Sequence, residues 1–298
     1  MALVIAGSLA SMAPASAVGR DRDRAQGVLV SVTGDGSHGA ISSRWVHPGW
    51  LKLNIKNSTI PNGSVDLVVV KMKDHYPVKR LVADINVQVN QNSTPNAAAA
   101  STRDINKIAI ALGGGDTYGQ AQYFRSGTIW LPNRGEFYVL NTSATGGVAV
   151  LGRLDADGRT VFAGAPSYSG LVTLGHGRVD NITLRGYMPP KGTIKVRNDG
   201  DSVHLLQFQK VADGVTDRQV QHEYNIIMGG GTPTSDPAGL TSPPTTPGTG
   251  SDAVTPGQSS LLSYNLPRGT YLLQCFVSDA TTGLPHAFMG MHRIVHIR

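Results

Sequence analysis

The chain has 298 residues, of which only 15% are charged, with 36 glycines, 17 prolines and a formal net charge of +6. This length is enough for two domains, and frequent turn residues between short runs of Val, Thr, Ile and Tyr favour an all-β protein. The positive charge is not gathered into a dense basic cluster with interleaved aromatic residues, which argues against a nucleic-acid-binding protein.

The N-terminus has the pattern of an export signal. A short apolar segment leads to Ala13-Pro-Ala15-Ser-Ala17, and the charged run 20–24 follows it. This order is typical of a secretory signal peptide, cleaved here after Ala17. The segment is too short and too rich in small residues for a transmembrane helix. We therefore predict a secreted, extracellular protein with no membrane span, in which residues 1–25 form the signal peptide and a short charged stretch.

Two stretches of the remaining chain follow the same order of signals. Each has a strand ending in Asn, a Ser-Val-x-Leu strand, a long excursion, and a strand that begins after a Leu-Pro-Arg-Gly type of turn. These signals occupy residues 49–57, 64–67 and 131–141 in the first copy, and residues 192–198, 202–205 and 266–275 in the second. The repeat predicts two tandem β domains, at residues 26–160 and 168–298.

The repeat also predicts which copy carries chemistry. Asp66 of the first copy aligns with His204 of the second, and Asn141 aligns with Cys275. If the second copy holds a metal, the first copy has therefore lost the ligands.

The long excursions differ between the copies. Residues 229–260 are dominated by Gly, Pro, Thr and Ser, which predicts a long surface loop. Residues 213–225, just before them, favour a short helix. In the first copy, residues 91–101 with their alanine run are interpreted as a comparable loop.

Cys275 is the only cysteine, so it cannot form an internal disulfide. The other uses of a lone thiol are burial as a small hydrophobe, nucleophilic catalysis and metal ligation. His286 and Met291 follow it closely, and His204 lies on a distant strand. Copper in a one-electron site takes two imidazoles, one thiolate and a weak axial thioether, so this set favours copper.

The C-terminal sequence His286-Ala-Phe-Met-Gly-Met291, with Cys275 before it, resembles the cupredoxin family, the blue copper proteins such as plastocyanin. The resemblance covers residues 168–298. It extends to the first copy only because that copy repeats the pattern of the second. It implies two tandem cupredoxin-like Greek-key β-sandwich domains with one type 1 copper ion. His204 and His286 would be the imidazole ligands, Cys275 the thiolate and Met291 the axial thioether.

The sequence departs from the family pattern at three points. The spacing from Cys275 to His286 is much longer than in plastocyanin, and residues 279–283 are interpreted as an outward turn. Leu205 stands where many cupredoxins have an asparagine that ties the ligand loops together. Asn198 or Ser202 could take that role. Met289 is an alternative to Met291 as the axial thioether ligand. Taken singly, each ligand candidate is more simply a core or strand residue; their joint occurrence favours copper.

The resemblance implies an electron carrier without a substrate pocket, whose redox partner docks on an apolar patch where the edge of His286 reaches the surface. Leu284 and Phe288 would belong to that patch, although Phe288 is equally well interpreted as a packing residue. One alternative is an extracellular β-sandwich binding module with a structural, stored or lost metal. A second is a two-domain copper oxidase or nitrite reductase, which the absence of any His-x-His motif disfavours.

Overall fold

The computed structural model describes residues 25–298 except 60–63, 91, 119–123, 162–163, 178 and 233–248. The predicted signal peptide, the charged run 20–24 and much of the predicted loop at 229–260 lie outside the described residues. None of the helices in the described ranges has the length and apolarity needed to cross a lipid bilayer.

The first half of the chain, residues 26–160, contributes strands to two sheets and carries two helices between its fifth and sixth strands. In chain order its elements are β1 (Gln26–Gly34), β2 (His38–Ile41), β3 (Trp45–Val46), β4 (Gly49–Thr59), β5 (Ser64–Met72), α1 (Val78–Val89), α2 (Pro95–Ile108), β6 (Ala109–Tyr118), β7 (Phe124–Leu131), β8 (Gly135–Asn141) and β9 (Ala149–Ala156).

The second half, residues 168–298, repeats this plan with one α-helix and a short 3₁₀ helix. Its elements are β10 (Gly170–Gly177), β11 (Val179–Gly186), β12 (Lys191–Gly200), β13 (His204–Val211), α3 (Asp217–Met228), β14 (Thr249–Val254), β15 (Ser259–Asn265), β16 (Gly269–Gln274), the 3₁₀ helix η1 (His286–Met289) and β17 (His292–Ile297).

The strands form two sheets that run through both halves. One has the order β11-β10-β12-β15-β7-β4-β1-β2, and the other has the order β17-β16-β13-β14-β6-β5-β8-β9-β3. At the junction β7 pairs with β15 and β6 pairs with β14, so each strand meets its own equivalent in the other half. Pairing of equivalent elements is the pattern of a two-fold relationship, here within one chain.

Each half has its own core between the two sheets. In the first half Val30 and Leu53 of one sheet share a buried cluster with Val69 and Phe137 of the other. The second half packs Val172, Ile194, Phe208 and Tyr271 in the same way, and Cys275 and Met291 belong to that cluster. The expected β-sandwich architecture is confirmed, and Cys275 lies at the end of a packed core.

The connections between strands differ from the sequence-based expectations. The helix expected at 213–225 is present as α3, where Thr216 and Gln219 form a reciprocal capping box. The prediction of a loop at 91–101 is wrong, because Pro95 begins α2 and Thr94 caps it. The alanine run is therefore a helix-forming signal that the loop interpretation overlooked. The prediction of a loop at 229–260 is wrong for residues 249–254, which form β14, and for residues 259–260, which begin β15.

The two sheets approach each other closely at glycines near the junction. A Cβ atom on Gly127 of β7 would overlap the carbonyl oxygen of Gly114 on β6 in the other sheet, and a Cβ atom on Gly114 would overlap the carbonyl oxygen of Leu67 on the neighbouring strand β5. Only glycine permits the backbones to approach this closely.

We expect Gly127→Ala to destabilise the protein by about 3 kcal/mol, because the neighbouring backbone must move to admit the methyl group. Gly27→Ala is the matched control, since the nearest atom to its added Cβ is Asn54 Nδ2 at 3.5 Å, an ordinary contact. Urea unfolding of both variants measures the difference. An equal effect of the two substitutions would contradict the close approach of the sheets.

Candidate metal centre

Three side chains from separate segments meet at one end of the second core. His204 opens β13, Cys275 directly follows β16, and His286 is the first residue of η1. Their exposed fractions are 0%, 0% and 1%. The distances are 3.2 Å between the two Nδ1 atoms, 3.8 Å from Cys275 Sγ to His204 Nδ1, and 3.7 Å from Cys275 Sγ to His286 Nδ1. These atoms form a nearly equilateral triangle.

The triangle has the dimensions of a metal site. Donors bound to one small ion at about 2.0–2.1 Å for nitrogen and about 2.3 Å for sulfur lie roughly 3.3–3.8 Å from one another. The two sulfur–nitrogen separations, 3.8 and 3.7 Å, fall within this range, and the nitrogen–nitrogen separation of 3.2 Å lies just below it. One soft sulfur and two imidazole nitrogens also form a donor set suited to copper or zinc. The residues present therefore fit a bound transition metal.

The long segment between Cys275 and His286 closes on itself. Asp279 Oδ1 accepts hydrogen bonds from the backbone N–H groups of Thr281 and Thr282, and the Asp279 N–H donates to Leu284 O at 2.8 Å. At the base of this turn, the His286 N–H donates to Val277 O at 3.0 Å. The extra residues thus form an outward turn, as the sequence analysis expected, and leave the two side chains within contact distance.

Helix α2 of the first half holds both segments that bear these side chains. Asn106 accepts a hydrogen bond from the Val203 N–H at 2.9 Å and donates to Ser202 Oγ at 2.9 Å, just before His204. One turn earlier, Thr102 donates to Ser278 O at 2.8 Å, in the turn after Cys275. A single rigid helix therefore sets the separation of the two segments.

Further contacts join this helical pair to the turn. Gln88 of α1 accepts a hydrogen bond from the Ser278 N–H at 3.1 Å, and Arg103 of α2 donates to Ala280 O. Gly283, with φ of 71°, packs so tightly on Pro95 that a Cβ atom there would overlap the Pro95 carbonyl oxygen. The first half is thus a structural support for the site in the second half.

On the opposite side the site is held by the second half itself. Asn198 donates hydrogen bonds to Ser202 O at 2.8 Å and to Val254 O at 2.6 Å, which fixes the approach to His204. On α3, Gln221 donates to Phe288 O at 2.9 Å in η1. Asn198 and Ser202 therefore hold the segment before His204, whereas the link to the Cys275 segment comes from α1 and α2.

Asp180 of β11 faces both imidazoles from outside the triangle. Its carboxylate oxygens lie 3.4 Å from His204 Nε2 and 3.7 Å from His286 Nε2. The His204 Nε2 atom is buried and makes no hydrogen bond of normal geometry. A carboxylate behind the rings favours protonated Nε2 atoms, which leaves the Nδ1 atoms beside Cys275 free as electron-pair donors.

Burial controls the charge state of these groups. It lowers the pKa of His204 to about 3, with the neighbouring His286 adding to the effect, and it raises the pKa of the Cys275 thiol to about 12. Burial also lowers the pKa of His286, although Asp180 opposes that shift, and it raises the pKa of Asp180. Without a metal the cluster is therefore a neutral thiol beside two neutral imidazoles at pH 7.

The two methionines of the loop differ in position. Met291 is fully buried, its N–H donates to His286 O at 2.9 Å, and its carbonyl accepts the Cys275 N–H at 3.3 Å. Met289 is 44% exposed, and its sulfur accepts a hydrogen bond from Thr282 Oγ1 at 3.6 Å. The backbone of Met291 is thus tied to both neighbouring ligand candidates, whereas Met289 lies at the surface beside the outer turn.

One expectation about the surface is wrong. The edge of His286 does not reach solvent, because the ring is only 1% exposed and lies behind Asp180. Phe288 packs on Tyr224 of α3 with ring centroids 4.7 Å apart, which favours its interpretation as a packing residue. Apolar side chains are nonetheless exposed beside the loop, at Phe276 and Met289.

The position equivalent to Cys275 is Asn141, as predicted. Gly135 and Gly269 begin the equivalent strands β8 and β16, with φ of 141° and 146°, and the two side chains follow at the same interval. In the first half the Asn141 amide is satisfied by hydrogen bonds, including one donated to Gly36 O at 2.8 Å.

The residue of the first half that corresponds to His204 is not the one that the sequence predicted. The Asp66 N–H donates to the Asn141 side chain at 3.0 Å, and in the second half it is the Leu205 N–H that donates to Cys275 Sγ at 3.4 Å. Asp66 therefore corresponds to Leu205, and Val65 corresponds to His204. The predicted match of Asp66 with His204 is wrong by one residue, because turns of different length precede the two strands.

Sequence reasoning missed the residues that hold and orient the site, chiefly Asp180, Asn106, Thr102 and Gln88. The three helix residues belong to the other half of the chain, and all of them lie on helices that were not predicted. Asp180 is part of an ordinary strand pattern without a motif. No signal in the sequence places these residues near Cys275.

No family model matches the sequence, and no curated relative matches it. Among solved structures, the chain is similar to reduced auracyanin from the photosynthetic bacterium Roseiflexus castenholzii, at 16% identity over 43% of this chain and 94% of that chain, with a TM-score of 0.26. The Cu-containing nitrite reductase from Thermus scotoductus SA-01 matches at 10% identity over 92% of this chain and 62% of that chain, with a TM-score of 0.23.

A bacterial laccase-like multi-copper oxidase from Ochrobactrum sp. matches at 9% identity over 92% of this chain and 67% of that chain, with a TM-score of 0.26. Similarity at this level defines neither a family nor an activity. The function of this chain must therefore be argued from the geometry of its own site.

We expect Asn106→Ala to lower the free energy of unfolding by about 1–3 kcal/mol, because it leaves the buried Val203 N–H without its acceptor. Asn133→Ala is the control, since Asn133 is exposed and accepts a hydrogen bond from Lys71 Nζ at 2.7 Å. Denaturant unfolding of the metal-free protein provides the measurement. Equal stability of the two variants would contradict the supporting role of α2.

Proposed function

We propose that this chain is a type 1 copper protein of the cupredoxin kind, which binds one copper ion and carries single electrons between partners. The observation that supports the proposal is the buried triangle of His204 Nδ1, His286 Nδ1 and Cys275 Sγ, with separations of 3.2–3.8 Å. Copper bound there would supply a one-electron couple between Cu(II) and Cu(I).

Each residue has a defined part in this proposal. The two imidazoles and the thiolate would hold the ion, and the buried Met291 would provide a weak thioether ligand. Asp180 would orient both imidazoles through their Nε2 atoms. The near-complete burial of the three donors excludes water from the site. The segments that bear them are anchored from both sides, which limits ligand movement between oxidation states.

We expect the purified protein to bind about one Cu(II) per chain and to become blue through thiolate-to-copper charge transfer. Cys275→Ser should remain colourless, because the hydroxyl cannot provide that band. Met289→Leu is the matched control and should keep the colour, since Met289 is exposed. Absorption spectroscopy with metal analysis tests these outcomes. A folded, colourless wild type would favour the binding-module alternative, and several copper ions per chain would favour an enzyme.

We also propose that the redox partner docks on the surface around the loop that bears His286. The half-buried Leu284 and Phe288 and the exposed Phe276 and Met289 supply apolar surface in this region. Because the His286 ring is buried, the partner would contact residues of the loop around it. Export of the chain, as the N-terminal sequence predicts, fits an extracellular carrier.

Leu284→Asp should slow electron exchange with a small redox protein by about tenfold or more while leaving the copper absorption unchanged, because it places a charge in an apolar contact. Leu284 is preferred to Phe288 for this test, since Phe288 packs on Tyr224 and its loss would disturb the fold. Stopped-flow kinetics measure the exchange rate. Unchanged rates would place the partner elsewhere on the protein.

A further inference from the structure

An apolar cavity of about 230 Å³ lies beside the candidate metal centre, at the seam between the two halves. Helices α1 and α2 form one wall through Leu81 and Ile105, and β5 forms another through Val68. The second half closes the cavity with Leu205, Phe276 and Val277. Protein interiors contain few voids larger than a water molecule, so a cavity of this size needs an explanation.

The chemistry of the walls defines what the cavity can accept. None of the described residues that line it is charged, and the polar ones among them are Gln88 and Thr142. The Gln88 amide is already bonded to Ala98 O, Thr102 and the Ser278 N–H, and Thr142 donates to Asp66 O at 3.4 Å. An occupant therefore finds apolar contacts and little hydrogen bonding, so a charged or strongly polar molecule would lose its hydration without compensation.

The volume of the cavity further restricts the class of molecule that can bind in it. An apolar cavity of about 150 Å³ stays dry and binds benzene in another protein. A volume of about 230 Å³ accommodates one ring with a short substituent. Access is available at the surface, because Val89 and Phe276, which both line the cavity, are 47% and 38% exposed.

The cavity is adjacent to the backbone around two of the proposed ligands. Val203 precedes His204, and Phe276 follows Cys275 in the chain. The Leu205 N–H donates to Cys275 Sγ at 3.4 Å, and the Leu205 side chain is part of the cavity wall. A molecule in the cavity would thus contact the residue that supplies a hydrogen bond to the sulfur.

We propose that this cavity is a binding site for an uncharged apolar molecule of about one ring, and that its occupancy is sensed at Cys275. The first part depends only on the cavity and its walls. The second part rests on the proposed copper function, because the readout at Cys275 requires bound copper.

The binding test uses the metal-free protein and toluene as the probe. Saturating toluene should raise Tm by about 3 °C, because it binds the folded state alone. Benzylamine, which has a similar shape but is cationic at neutral pH, should not raise it. Ala111→Leu places a larger side chain in the cavity and should abolish the toluene shift, whereas Ala100→Leu on the exposed face of α2 should retain it.

Each possible result of the toluene experiments leads to a different conclusion. If toluene leaves the wild-type Tm unchanged, or raises it equally in Ala111→Leu, there is no binding site in this cavity. Should Ala111→Leu fail to fold, Ala253→Leu, which fills the cavity from β14, takes its place. In the copper-loaded protein, toluene should shift the charge-transfer band of the wild type but not that of the filled variant. An unshifted band would overturn the sensing step, and a protein that never becomes blue would overturn the copper function while the binding result stands.

Discussion

The geometry of the site depends on hydrogen bonds that α2 of the first half donates and accepts across the seam. Asn106 fixes the segment before His204, and Thr102 fixes the segment after Cys275, from positions one helical turn apart. Because the backbone of a helix is rigid over one turn, these two contacts set the distance between segments that are 70 residues apart or more in sequence. A metal-binding triangle needs such a constraint, since its donors must keep their separations in the absence of the ion.

This arrangement explains why a half without ligands is present in the chain. Asn141 occupies the position of Cys275, and its amide is satisfied by the Asp66 N–H and Gly36 O. The first half thus has a hydrogen-bonded side chain at this position, which satisfies the buried polar groups there and keeps the end of its core closed. Its helices are then available to support the other half.

The parts that sequence reasoning predicted are those with local patterns. Paired β-strands, glycine-opened turns and the C-terminal run from Cys275 to Met291 all carry signals within a few residues. What the sequence did not reveal depends on contacts between distant residues. The burial of His286 behind Asp180 arises from a strand about 100 residues earlier. Helix α2 is the exception, since its alanine run and the Thr94 cap are local helix signals that the loop interpretation overlooked. The shifted register of Asp66 came from turns of unequal length, which alignment by motif does not detect.

The two halves also use their helices in different ways, and this difference accounts for the cavity. In the second half, Tyr224 of α3 fills the space above its own sheet, is 1% exposed and contacts Leu272 and Ala287 within one cluster. In the first half, α1 and α2 reach over the seam and are held to the Cys275 turn by directional hydrogen bonds through Gln88 and Thr102. Directional bonds fix the distance between helix and turn at the length that the bonds require. Among the described residues that line the cavity, none corresponds to Tyr224 and fills the volume left between them. The support of the site and the void beside it therefore have the same structural origin.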